Sequence, residues 1–303
     1  MTRLRRFDFV RLAALCGSGV ALVALVALGA WLAIGSIAAF RHEGLSLFTG
    51  NDWGYRQESF GAAAMLYGTA VVSLVALILA APIGIGTAIF ASEICTRRVR
   101  LAIKMLVEIL AGVPSVVYGL LGVLFLREWL YALFEKLGLD ALSGDTILTA
   151  GTLLAVMILP TVATLTDDAL QSVPSRVREA SRGLGLTRAE ATLFVILPQA
   201  IPSIGGALLL GLGRALGETI AVFLVVGRAD NLLPENLASW RPLVDAGQTI
   251  SSKLGGAETN IAVGDPLHSS AIVALAAILF GSVLVVTLAA EALRARAAKV
   301  MGR

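Results

Sequence analysis

Arg214 and Glu218 are the residues of this 303-residue chain best placed to do chemistry, because the stretch 191–227 holds no other charge. A spacing of four sets both on one face of a continuous helix. With entry near Ile201 and a rise of about 1.5 Å per residue, Arg214 lies about 20 Å along that helix. Burying an arginine at such membrane depth costs about 2.5–3.5 kcal/mol on insertion scales, so it should face protein or a water-filled path. Two uses stand open. The charges neutralise each other and pin helix packing, or Arg214 offers its fork of donors to a passing oxyanion. In the second case Glu218 holds Arg214 in position and limits how tightly the anion is trapped.

Other candidate chemistry is thinner. Asp167 and Asp168 suggest a metal–diphosphate site, but Mg²⁺ wants further oxygen ligands and no second acidic cluster follows; a solvated helix end is the expectation. A phosphate-cradling P-loop needs Gly-Lys-Ser/Thr, and none of Lys104, Lys136, Lys253 and Lys299 follows a glycine. ATP hydrolysis by that route is excluded. Gly211, Gly213 and Gly217 have no preceding strand, so close helix approach is their expected role. His42 and His268 lack partners at metal-ligand spacing and read as solvated loop residues. Cys16 and Cys95 fall in a span and a cytoplasmic loop, where no disulfide is expected.

The elements that hold these residues follow from composition. Hydrophobic residues make up 57% of the chain and charged ones 15%, too few charges for a water-facing surface of this length. That excludes an ordinary soluble enzyme, a disordered chain and a disulfide scaffold. The net charge of +3 gives no reason to expect nucleic acid. A spanning helix needs about 20 apolar residues. Runs bounded by Arg11 and Arg41, Glu58 and Glu93, Glu108 and Arg127, Asp145 and Asp167, Glu190 and Arg228, and Asp265 and Glu291 give six spans. The first, residues 12–40, is 29 residues long, beyond the roughly 7–15 of a signal core, so an uncleaved helix is expected. Pro114 removes one backbone bond from the third span and should kink it. Glu108 falls near the cytoplasmic end of that span, and Ser115 and Tyr118 are expected to pack.

Orientation follows from the loops. Sixteen Lys and Arg lie on the side of the termini, counting Arg3, Arg5, Arg6, Lys299 and Arg303, against seven on the other. The positive-inside rule therefore places both termini in the cytoplasm. The 41 residues 228–268 are expected to form the largest external segment.

The cytoplasmic loop at about 167–198 carries the most specific pattern. Pro174 suits a helix start, residues 176–184 then read as a short helix ending at Gly185, and Thr187 can cap a second with Glu190. Glu179-Ala180-Ser181, then Gly185, then Leu197-Pro198 resembles the EAA loop of binding-protein-dependent ABC permeases; Ser181 replaces a usual alanine. The resemblance implies that Glu179, Ala180, Gly185, Leu197 and Pro198 belong to a loop that docks on a separate ATPase subunit.

Gly211-Leu-Gly-Arg-Ala-Leu-Gly-Glu-Thr-Ile-Ala-Val222 is similar to a membrane segment of phosphate-specific permeases. Leu66-Tyr-Gly-Thr69, Ala91-Ser-Glu93 and Leu110-Ala-Gly-Val-Pro-Ser-Val-Val-Tyr-Gly119 match as well, and Asn51-Asp52-Trp53 looks like the first external loop of the PstC type. The matches cover about residues 45–290. This resemblance implies an all-α membrane protein with six transmembrane helices and a type I ABC importer permease fold. It implies a pore subunit, not an enzyme, importing phosphate across a bacterial inner membrane, with Arg214 and Glu218 on the substrate path. Implied partners are a second, PstA-like permease, two copies of a PstB-like ATPase and a periplasmic PstS-like phosphate-binding protein. ATP and Mg²⁺ would sit on the ATPase, and no cofactor or metal on this chain. The expected organisation is 1–60 (cytoplasmic arm, first helix, first external loop), 61–292 (permease domain) and 293–303 (cytoplasmic tail). Alternatives are the same architecture for sulfate or molybdate, a membrane-embedded transferase, which would need carboxylates or histidines clustered at one membrane face, and a non-transporting scaffold or sensor.

Overall fold

The computed structural model describes residues 2–300 apart from 235, 237 and 238, and side chains within 10–298. Arg3, Arg5, Arg6, Lys299 and Arg303 of the charge count, and the last residues of the 293–303 tail, lie outside the described side chains. The described residues are mostly helical, and among them six helical segments are long and apolar enough to cross a membrane: Val10–Gly35, Ala63–Ile94, Ser115–Lys136, Ile147–Gln171, Arg188–Gly217 and Pro266–Ala298. The only sheet among the described residues is a two-residue hairpin pairing Trp53 with Phe60 and Gly54 with Ser59.

The fourth span is the most enclosed and packs along the second and the fifth. Thr146 caps it, its hydroxyl accepting from the Thr149 amide at 3.1 Å. Three apolar clusters run from end to end of the bundle. Leu47, Phe60, Met65, Ile250 and Leu275 fill the long-loop end; Val72, Leu154, Ile158 and Val225 fill the middle; Ala88, Leu170, Ile196 and Ile204 fill the basic-loop end. The first span packs on the sixth, where the Ser270 hydroxyl donates to the Gly35 carbonyl at 2.7 Å.

Two expectations about the third span are corrected. The helix that begins at Arg97 ends at Gly112, Val113 and Pro114 are extended, and a new helix starts at Ser115. Pro114 therefore breaks the path instead of kinking one helix. Its missing N–H and its steric demand on Val113 make separation the lower-energy solution. Tyr118 bridges the break, its hydroxyl donating to the Leu110 carbonyl at 2.8 Å. Glu108 thus lies on the preceding amphipathic helix, outside the span. Nor does Arg127 end the span, which continues to Lys136 because Arg127 finds partners in Glu128 (3.1 Å) and Asp145 (3.5 Å). The prolines that do lie inside helices are Pro82, Pro160 and Pro202.

Residues 245–254 fold back into the bundle, and Ile250, Ser251, Ser252 and Lys253 are all buried. Backbone buried there must satisfy its polar groups on protein. It does: the Gly247 amide donates to the Val226 carbonyl at 2.8 Å and the Ile250 amide to the Thr69 hydroxyl at 2.9 Å. Gly68 makes the close approach possible, since a Cβ there would stand 1.9 Å from the Gln248 carbonyl oxygen. Gly211 approaches Val162 of the fourth span in the expected way, a Cβ meeting Cγ2 at 2.9 Å, whereas Gly217 has open space around it.

Candidate substrate path and coupling loop

The fifth span supplies the charged pair, but not as a pair. Its helix runs Leu197–Gly217 and stops; Glu218 is extended, and a short helix Ile220–Val225 resumes beyond Thr219. The expectation of two charges on one face of a continuous helix is corrected accordingly. A Glu218 carboxylate oxygen accepts from the Ala221 amide at 3.3 Å, satisfying an N–H that the break leaves free at the start of the outer helix. Among the described residues no ion pair joins it to Arg214. Arg214 instead reaches the fourth span, where Nη1 donates to the Thr161 hydroxyl at 3.4 Å, and its side chain is exposed on a face the chain does not cover. Tyr118 lies within electrostatic reach of Arg214, so the broken third and fifth spans approach each other here. An uncompensated guanidinium with free donors beside a helix break has the chemistry to receive an anion.

At the opposite end of the fifth span, the basic loop folds into two short helices as its residues dictate. Pro174 precedes Ser175–Gly183, Gly185 takes φ +81° in the turn, and Arg188 begins the next helix. Only glycine adopts that φ without strain. Thr187 and Glu190 form the expected capping box, the Glu190 carboxylate accepting from the Thr187 amide at 2.8 Å. We expect Thr187→Ala to loosen this turn by about 1 kcal/mol, read as faster amide exchange over residues 188–191 with the spans unchanged.

Glu179, Ala180 and Gly185 lie together on the exposed surface of the protrusion, with Leu184 82% exposed beside them. Leu197 and Pro198 do not join them. They sit at the root of the fifth span, past the bulged segment Thr192–Ile196, with Leu197 against the apolar cluster and Pro198 in the first helical turn.

What ties this protrusion to the bundle was not identified from sequence. Arg178 Nη1 donates to both carboxylate oxygens of Glu93 at 2.9 Å, and its Nη2 donates to the Leu170 carbonyl at 2.6 Å. Glu93 belongs to a motif that pointed to the family, yet nothing in the spacing showed its partner 85 residues on. Asp167, expected to be a solvated helix end, is instead held by Arg100 at 3.1 Å, and Asp168 is exposed.

The long-loop end contains a second unforeseen network. His268 is fully buried, not a solvated loop residue, because it falls in the first turns of the sixth span and stacks on Phe60 and Tyr55. Its Nε2 lies 3.0 Å from a Glu258 oxygen that also accepts from Trp53 Nε1 at 3.0 Å. Lys253, 5% exposed, sits 3.1 Å from Asp230 and 3.4 Å from Glu258, over the Trp53 ring. These contacts bind the first loop, the long loop and the sixth span into one cap. Nearby, burial works against the Glu43 carboxylate, but hydrogen bonds from Ser46 and the Phe60 amide, with His42 close by, outweigh it and hold the carboxyl below its usual range. Burial pushes the Asp145 carboxyl up, with Arg127 and Arg228 opposing.

Among the described residues no three His, Cys, Asp or Glu side chains group as metal ligands, and Cys16 and Cys95 are free.

Comparison with known proteins gives a consistent result. Residues 80–299 match the family model described as the binding-protein-dependent transport system inner membrane component. The phosphate transport system permease protein PstC of Mesorhizobium japonicum is 39% identical over 86% of this chain and 82% of its own length. That of Pasteurella multocida is 37% identical over 90% and 86%. Among solved structures, a chain of a bacterial alginate ABC transporter superposes with a TM-score of 0.59 at 17% identity, covering 96% of both chains. A chain of the inward-facing MetNI methionine ABC transporter superposes with a TM-score of 0.56 at 16% identity, over 78% of this chain and 94% of its own. With six spans, a two-helix loop before the fifth and a family match across most of its length, the chain belongs to the inner-membrane permeases of binding-protein-dependent transport systems, in the group that holds the PstC proteins.

Proposed function

We propose that this chain forms half of the membrane pore of an ATP-driven importer of inorganic phosphate. The observation that carries the reading is Arg214: a guanidinium within a span, free of any carboxylate among the described residues, open to the side its own chain leaves uncovered. A second, PstA-like permease on that side would complete the pore. The unequal distribution of Lys and Arg supports a cytoplasmic location for both termini and the 172–187 loop in a bacterial inner membrane. Glu179, Ala180 and Gly185 then face a PstB-like ATPase dimer that binds ATP and Mg²⁺, while Leu197 and Pro198 root the loop in the span. The long-loop end faces a periplasmic, PstS-like binding protein. In this arrangement Arg214 receives the anion at the break between Gly217 and Ile220, and Glu218 keeps the outer half-helix in place. Closure of the ATPase moves the basic loop, and the broken spans let the two ends of the bundle shift relative to each other.

The test is uptake by the complete transporter in proteoliposomes, with labelled phosphate, sulfate and molybdate offered in parallel. ATP-dependent accumulation of phosphate is expected. Accumulation of sulfate or molybdate alone would reassign the substrate, and no uptake of any of the three would leave a scaffold or sensor.

A further inference from the structure

A cavity of about 260 Å³ opens at the basic-loop end, between the last turn of the second span, the helix Ser175–Gly183 and the start of the fifth span. Its wall carries three arginines, Arg178, Arg182 and Arg188, and one carboxylate, Glu93. Arg178 and Glu93 are committed to each other. Arg182 and Arg188 are not: among the described residues neither guanidinium has a carboxylate or hydrogen-bond partner, and both are exposed. The hydroxyls in the wall are already spent as donors, Ser92 on Glu93, Ser181 on the Arg178 carbonyl and Thr192 on the Arg188 carbonyl. The lining thus includes two arginines with uncommitted charges, one on either side of the Gly185 turn. Like charges gathered around one void are stabilised by an anion between them. Two planar guanidinium forks match the oxygens of a tetrahedral oxyanion. At about 30 Å³ per water, the volume holds such an ion with part of its hydration shell.

We propose that this cavity binds a phosphate group through Arg182 and Arg188, either as free inorganic phosphate or on a lipid headgroup. Bound there, it ties the Ser175–Gly183 helix to the root of the fifth span and stiffens the turn at Gly185. Binding itself stands on the cavity; only its effect on ATP hydrolysis rests on the coupling-loop reading. Filled by the free ion, the site would slow the transporter as phosphate accumulates on its own side.

The test uses the assembled transporter in nanodiscs of zwitterionic lipid and inorganic phosphate as the probe, read by phosphorus NMR line broadening without nucleotide. The Arg182→Gln/Arg188→Gln double variant is expected to raise the half-saturating concentration at least tenfold, and Arg182→Lys/Arg188→Lys to recover part of it. The same titration is then read as ATPase rate, and both are repeated with anionic phospholipid in the disc. A response to phosphate in zwitterionic discs supports the free ion. A response only to anionic lipid, lost in the double variant, supports the headgroup. Binding equal in wild type and double variant overturns the site. An ATPase response that survives the double variant overturns the site's effect on hydrolysis, since phosphate would then be acting as product at the ATPase. Binding lost in the variant while wild-type ATPase ignores phosphate supports the site and overturns the coupling-loop reading.

Discussion

Arg214→Gln is expected to lower ATP-driven phosphate uptake about 10–100-fold while leaving the assembled transporter as stable as before. A hydrogen bond from a charged donor contributes about 1.5–3 kcal/mol, and each 1.4 kcal/mol is roughly tenfold. Stability is spared because Arg214 balances no buried carboxylate: its one described contact is the Thr161 hydroxyl at 3.4 Å. Glu218 supplies the contrast. Its oxygen accepts from the Ala221 amide, and glutamine keeps an acceptor there, so Glu218→Gln should change uptake far less than Arg214→Gln. Were the two residues a neutralising pair, each single variant would destabilise the protein and the exchange of their charges would restore it. Uptake into proteoliposomes beside thermal unfolding separates these outcomes. Unchanged uptake by Arg214→Gln removes it from the path.

Arg178→Ala should produce the largest loss of stability, about 3 kcal/mol. Its partner Glu93 is 10% exposed, so removing the guanidinium strands a nearly buried carboxylate and also frees the Leu170 carbonyl. Breaking a buried pair from one side costs about 3–5 kcal/mol, and the 22% exposure of Arg178 argues for the lower end. Glu93→Gln removes the stranded charge, so Arg178→Ala/Glu93→Gln should be more stable than Arg178→Ala alone. The functional effect should not recover with it. Without Arg178 the protrusion bearing Glu179 and Gly185 loses its tie to the second span, so ATP hydrolysis should run without substrate movement. Thermal unfolding of the four members of the cycle, with uptake measured per ATP hydrolysed, checks both halves. Additive single effects would mean that the pair carries no coupling.

Much of the architecture is written locally. Six apolar runs, the capping box of Thr187 and Glu190, the helix start after Pro174 and the left-handed turn at Gly185 each depend on residues within a few positions of one another. The approach of Gly211 to Val162 follows the same logic, since small residues in lipid-spanning helices mark where neighbours come close. Local reading failed where continuity of the chain had to be assumed. Arg214 and Glu218 share a face only if the helix between them is unbroken, and it ends at Gly217. Pro114 could have kinked or broken its helix; Tyr118, by reaching the Leu110 carbonyl, is what makes the broken form satisfied.

The sequence alone thus determined the class of molecule and its six apolar segments, because hydrocarbon imposes a length and polarity on each segment independently of the others. Tertiary structure decided the pairings. Arg178 meets Glu93, His268 is sealed under Phe60, and Arg214 meets the Thr161 hydroxyl and, among the described residues, no carboxylate, because elements distant in the chain pack together. A charge's partner is set by distance in space, and spacing along one chain carries that distance only within a turn or two of helix.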